Sequence, residues 1–266
     1  MNTLQHMTAM TLALTTTLTL MTAATTARAE EAHGTIIAGI GTVPDYEGAD
    51  NQRVIPLAGG RVMVGKRYIA LDGLRLSANV LESETFEFGP VATLTFKRDS
   101  KVRSSAVAAL GPIKDAYEIG AFAAASLPVG GDDRVRFALQ GVQDVSNAHK
   151  GWLGTASASY IAPIGSKVRV IADVSATYAS GDYMRRYYTV SASGSAASGL
   201  ARFTAKSGVK DIGLTLTTSY QLTPKWSVIG FAGYKRLTGS AKDSPVVSRE
   251  GNANQLRGGI GLGFSF

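Results

Sequence analysis

Apolar and polar positions alternate with a period of two along most of this chain, which is the template of strands with one apolar and one polar face. The clearest run is 85–97, where Phe86, Phe88, Ala92, Leu94 and Phe96 share one face and Thr85, Glu87, Thr93, Thr95 and Lys97 the other. Residues 211–223 repeat it, with Ile212, Leu214, Leu216, Tyr220 and Leu222 opposing Asp211, Thr215, Thr217, Ser219 and Gln221. So do 167–178, with Ile171 as the exception. Weaker alternation covers 34–42, 54–64, 67–80, 116–127, 134–145, 152–162, 200–206 and 225–237. No window carries the 3.6-residue period of a long amphipathic helix.

Short connections rich in Gly or Pro fall at 128–131, 163–165 and 223–225, and longer polar stretches at 98–115, 146–151, 179–199 and 238–254 mostly alternate with them. Short turns at one end and long loops at the other predict an all-β fold, an antiparallel up-and-down transmembrane β-barrel. At roughly 20 residues per strand plus connection the expected count is about 12 strands, with 10 or 14 also compatible. Placing the turns at 163–167 and 222–225 on one side requires an even number of strands between them. If 200–206 is a strand, part of 183–192 must be one too. The last segment alternates again, with Leu256, Ile260, Leu262, Phe264 and Phe266 on one face, and its ending on Phe264 and Phe266 resembles the assembly signal of outer-membrane barrels. Phe86, Leu94, Leu214, Leu216, Leu262 and Phe264 are the expected lipid-facing residues.

Composition agrees and removes whole classes of chemistry. Charged residues are 18% of the 266, and the 30 glycines exceed the about 19 that average usage gives. With no cysteine, disulfide scaffolds, thiolate metal sites and thiol nucleophiles are excluded. The first 29 residues read as a signal peptide: 8–24 is uncharged, and Ala27-Arg28-Ala29 supplies a small-x-small cleavage pattern. Cleavage there removes one basic residue and takes the net charge from +7 to +6, leaving 30–266 as the barrel domain. That places the protein in the cell outer membrane, in contact with lipid.

Order and spacing of several motifs resemble the MipA/OmpV outer-membrane proteins, also called MltA-interacting proteins. The resemblance runs from Gly39-Ile40-Gly41 and Pro44-Asp45-Tyr46-Glu47-Gly48 through Gly89-Pro90, Arg98, Tyr117-Glu118-Ile119-Gly120, Tyr178 and Ser198-Gly199-Leu200. It continues in Leu222-Thr223-Pro224-Lys225-Trp226, and its most specific piece is the run from Tyr234 to Val246, which contains Arg236 and Asp243-Ser244-Pro245. Ala49 departs from the pattern, where the family's common form has Ser. The resemblance implies a non-enzymatic scaffold or adaptor linking a murein hydrolase to a murein synthase. A channel for small solutes is the alternative, and a barrel enzyme the third reading.

Candidate residues follow from these motifs. Pro44, Tyr46, Glu47 and Gly48 have turn chemistry and could also touch a ligand. Arg98, Glu118, Tyr178, Arg236, Asp243, Ser244 and Pro245 are structural or ligand-contact candidates of the same standing, the last three in a long loop that could fold inward. Glu87, Lys97, Arg98, Lys167, Arg169, Asp173, Lys210, Asp211 and Arg257 lie on or beside polar strand faces, where they either pair with one another or line a pore. Arg98, Lys101 and Arg103 form the densest basic run and read as loop residues near lipid headgroups. His33 and His149 read as solvated, so no catalytic residue, cofactor or metal site is expected. No phosphate-binding, dinucleotide or nucleic-acid motif is present. Partner contact is expected at the short turns and at 30–34; oligomeric state is not legible.

Overall fold

A computed structural model describes residues 31–266, and the expected signal peptide lies outside them. Twelve antiparallel strands close into one barrel. They are β1 (His33–Pro44), β2 (Gln52–Val64), β3 (Arg67–Asp72), β4 (Arg75–Asn79), β5 (Phe86–Thr95), β6 (Ala116–Gly130), β7 (Asp133–Asp144), β8 (Trp152–Ile164), β9 (Val168–Ala179), β10 (Gly208–Gln221), β11 (Trp226–Leu237) and β12 (Asn254–Ser265). Five short helices sit in the loops: α1 (Ser105–Ala109), α2 (Gly181–Tyr188), α3 (Ala192–Ser198), α4 (Gly239–Asp243) and α5 (Pro245–Ser248). Closure is made by β1 on β12, from Thr35↔Ser265 to Thr42↔Gly258. Beyond it Phe266 and Gly34 exchange two backbone hydrogen bonds of 3.0 Å.

The period-two pattern becomes inside and outside. Phe86, Leu214, Leu216 and Leu262 are exposed on the outer wall. Leu94 is half-buried, and so is Phe264, which packs edge-on against Trp226 with ring centroids 5.0 Å apart. Tyr117, Trp152, Tyr178 and Tyr234 mark the outer wall toward the long-loop end, and Tyr160, Tyr220 and Trp226 toward the other, as the aromatic girdles of a spanning barrel do. Among the described residues no helix is long and apolar enough to cross a membrane.

Three sequence expectations are corrected. Residues 67–80 are two strands, because Gly73 at φ +63° turns the chain back after Asp72. Residues 183–192 form no strand: Tyr183, Met184, Tyr187 and Tyr188 recur with helical spacing and are buried as one face of α2. Nor do 200–206, where Leu200 and Ala205 are buried in loop clusters and only Val190↔Phe203 makes a bridge. The gain at 67–80 offsets the loss at 200–206, so twelve strands remain. Only β9 and β10 then separate the turns at 163–167 and 222–225, and these turns share one end of the barrel with the turn at 131–132, the start of β1 and the end of β12.

Packing is concentrated at the other end. The largest fully buried side chains include Tyr183, Tyr188, Ile113 and Met184, all in long connections. Two clusters join these loops to the strand rims, one around Tyr183, Met184, Tyr188, Leu237 and Val247, the other around Tyr46, Val107, Val190 and Val246. A third, smaller cluster of Tyr68, Val91, Phe122 and Val142 occupies the lumen.

Candidate functional site

The long loops fold together into a plug whose polar side faces the lumen. Helix α2 brings Tyr183 against the barrel wall, where its hydroxyl donates to Glu47 Oε2 at 2.7 Å. Lys210, on the inward face of β10, bonds the other Glu47 oxygen and lies 2.7 Å from Asp211, which Lys235 of β11 approaches at 3.6 Å. A loop carboxylate, a strand ammonium and a helix phenol meet here. Burial pushes the Glu47 carboxyl up, but Lys210 and Lys235 more than offset it, so its pKa lies below the usual carboxylate range. Tyr183, Tyr187 and Tyr188 are pushed above the ordinary phenol value, first by burial and then by the Glu47 charge. They stay neutral donors and ring surfaces across physiological pH. Tyr183 and Tyr187 pack with centroids 4.5 Å apart.

A second buried pair lies beside the first. His149 is 4% exposed and its Nδ1 accepts from the Gly151 N–H at 3.0 Å, which leaves Nε2–H to donate to Glu118 at 3.1 Å. Glu118 also accepts from Thr93 and, at 3.1 Å, from Thr95. Solvated His149 is therefore a correction: the loop 145–151 turns inward because Asp144 accepts the N–H groups of both His149 and Lys150, at 2.7 and 2.8 Å. His33 is exposed, as expected. Deeper in the lumen Arg136 grips Glu87 through Nε at 3.0 Å and Nη2 at 2.8 Å. Between this pair and the plug lies a cavity of about 770 Å³, whose lining includes Arg53, Arg75, Glu118, Lys210 and Arg257.

The sequence candidates divide sharply. Pro44 ends β1 on the cavity rim. Tyr46 is buried and donates to Glu250 O at 2.7 Å, with its pKa raised by burial and by the nearby Glu250 carboxylate. Gly48 holds φ +101°, and a Cβ there would lie 2.5 Å from Val247 Cγ2. Ser244 is fully buried, donates to Tyr188 O at 2.6 Å and caps α5, whose first residue is Pro245. Glu47, Glu118, Tyr46, Gly48, Ser244 and Pro245 thus belong to one assembly.

Arg98 is a correction: it is buried behind the wall rather than exposed in a surface loop, and donates to Tyr187 O at 3.3 Å and Gly111 O at 3.4 Å. Burial, with Arg186 nearby, pushes its guanidinium down to about 10. Lys101 and Arg103 remain exposed. Tyr178, Arg236 and Asp243 stand outside the assembly. Tyr178 stacks on Trp152 at 5.4 Å on the outer wall, Arg236 donates to Asn254 at 2.6 Å on the exposed rim, and Asp243 is exposed beside Lys242.

Sequence reasoning missed Tyr183, Tyr187, Tyr188, Lys235 and Arg53. The tyrosines at i, i+4 and i+5 were a helical signal in a segment assigned to strand. Lys235 and Arg53 are odd-numbered residues on strands whose even positions face outward, so the alternation itself marks them as inward.

Solved structures similar to this chain are outer-membrane barrels. An outer membrane channel from Pseudomonas putida F1 aligns over 91% of this chain and 97% of its own, at 15% identity and a TM-score of 0.48. The NanC porin aligns over 88% and 100%, at 10% identity and 0.45. OmpT, an outer membrane protein of Vibrio cholerae, aligns over 89% and 97%, at 9% identity and 0.42. No curated protein matches the chain. The family model described as MltA-interacting protein MipA matches residues 36–266, nearly the whole of the described barrel, and the chain belongs to that family.

Proposed function

We propose that the chain is a non-enzymatic, closed outer-membrane adaptor that presents its short-turn end to murein-acting enzymes in the periplasm. The plug carries this reading. A solute path through the lumen would have to displace the Glu47, Lys210, Asp211 and Lys235 charges together with the rings of α2, which are buried against one another. His149 engages both ring nitrogens, so no free base is poised there. The family description supplies the partner class, a murein hydrolase, and the hydrolase–synthase bridge is its extension.

Barrels of this kind keep short turns in the periplasm, which would put 131–132, 165–167, 222–225 and the segment 30–34 before the cell wall. The family motifs around Tyr46 and Ser244 lie at the opposite end, where they build the plug. Two measurements test the proposal. Single-channel recordings in planar bilayers should show no steady conductance, whereas stable open steps would favour the channel. Replacing Gly130-Gly131-Asp132-Asp133 and Thr223-Pro224-Lys225 by neutral turns of equal length should weaken crosslinking to a murein hydrolase and leave barrel assembly intact. Crosslinking that survives those changes but disappears in Tyr46→Phe would overturn it.

A further inference from the structure

The barrel wall is incomplete on one side. Pairing of β2 with β3 stops at Gly59↔Asp72, while β2 continues to Gln52 paired with β1 alone. Pairing of β4 with β5 stops at Arg75↔Thr93, with one more bond from Leu94 N to Leu74 O at 3.0 Å. Above the Gly73-Leu74 tip no strand lies between β2 and β5, so residues 52–58 leave a bare edge roughly 20 Å long. Pro56, with no N–H to leave unpaired, fits such an edge.

Side chains and loops frame this opening. Its upper border is the Arg103 N–H donated to Asp45 at 3.0 Å, and the Arg53 guanidinium crosses it to lie 5.0 Å from the centroid of the Phe96 ring. Outside it the wall is apolar and exposed at Val54, Ile40, Ile69 and Leu76. Inside it is the lumen cavity. Hydrocarbon cannot satisfy a bare strand edge, so polar groups must meet this one.

Two cations that line this cavity have no anion. Neither Arg53 nor Arg98 makes an ion pair among the described residues, and the Nε of each is buried with no hydrogen-bond partner. Both line the cavity behind the opening. Buried guanidinium groups are ordinarily matched by carboxylate or phosphate, which their planar fork fits.

We propose that this opening is a lateral binding site for a phosphate-bearing lipid of the surrounding leaflet. The headgroup reaches through it to Arg53 and Arg98, and the chains lie over Val54, Pro56, Leu74 and Leu94. The headgroup oxygens satisfy both the guanidinium groups and the bare edge, and the apolar rim accounts for selection of an amphiphile over a free anion. This inference rests on the barrel's spanning a membrane and is independent of the adaptor role.

The test uses the whole barrel in neutral detergent, titrated calorimetrically with tetradecyl phosphate and, separately, with inorganic phosphate. Saturable binding of tetradecyl phosphate near one per barrel is expected, with inorganic phosphate at least tenfold weaker. Arg53→Gln should weaken tetradecyl phosphate at least about tenfold, the loss of a charge-assisted contact. Arg98→Gln should do the same; should its buried position prevent assembly, Arg53→Gln carries the test alone, because among the described residues that side chain makes no hydrogen bond or ion pair and only stacks on Phe96. Equal binding of inorganic phosphate, unchanged affinity in Arg53→Gln, or a dimer joined along β2 that excludes the probe would each overturn the proposal.

Discussion

Replacing Lys210 by Met is the sharpest perturbation of the plug, because that one ammonium holds two carboxylates. Its side chain is 4% exposed, against 21% for Glu47 and 1% for Asp211. Methionine keeps the stem and removes the charge, leaving Glu47 and Asp211 facing each other in a poorly solvated site. Breaking a buried ion pair from one side costs about 3–5 kcal/mol. Lys235, 3.6 Å from Asp211, remains and offsets part of this, so the lower end applies. About 3 kcal/mol corresponds to a roughly 150-fold weaker docking of the plug. The readout is the rate at which protease cuts the loop 180–207 in intact barrels, which follows the undocked population when redocking is fast. Cleavage should rise by about two orders of magnitude while the barrel itself stays folded, and conductance should appear in bilayers. Adding Glu47→Gln and Asp211→Asn to Lys210→Met should recover much of the loss, since no unpaired charge is then left. Wild-type cleavage rates in Lys210→Met, or no recovery in the triple variant, would show that the charges do not hold the plug.

Acid should loosen the plug through Glu47. Its pKa is depressed in the folded state, so its contribution is fully present above the unfolded value, near 4.5, and is lost as pH falls through the lower folded value. Loop cleavage by an acid-stable protease should therefore rise below about pH 4.5, and Glu47→Gln should flatten that rise. Leu216→Arg should destabilise the barrel by about 2–4 kcal/mol if Leu216 lies near the membrane midplane, and Thr217→Arg, facing the cavity, far less; urea unfolding in lipid vesicles distinguishes them. Intact mass of the mature protein should begin at Glu30 if the leader is cut after Ala29.

The barrel was legible because each spanning residue has only two options, lipid or lumen, and side chains obey that choice at every step. Leu214, Thr215, Leu216 and Thr217 show it directly on β10. The site was half legible. Pro44, Tyr46, Glu47, Gly48, Ser244 and Pro245 carried it as turn-forming types, since positive φ, a proline at the start of α5 and a capping hydroxyl are local requirements. What joined them was not local. Glu47 meets Lys210 across 163 residues and Ser244 meets Tyr188 across 56, and no periodicity encodes such pairs. Helix α2 was misread for a related reason: its tyrosines are buried by other loops, so its eight residues borrow their stability from contacts far along the chain.

The incomplete wall has its origin in two short strands. Strands β3 and β4 have six and five residues, too few for the roughly ten of a spanning strand, so the sheet between β2 and β5 cannot reach the long-loop rim. A full-height hairpin would have closed the wall there. With the hairpin short, the loops after β1 and β5 meet directly through Asp45 and Arg103, and the same β1 loop carries Tyr46, Glu47 and Gly48 inward to α2, β10 and β12. The family motif in that loop therefore lies between the plug and the opening. Lengthening the Gly73-Leu74 hairpin would cover the bare edge of β2 and displace the Arg53 contact with Phe96, whereas the Glu47 network, anchored on β10 and β11, would persist. Lateral access and plug docking are thus separable in this fold, although one loop contributes to both.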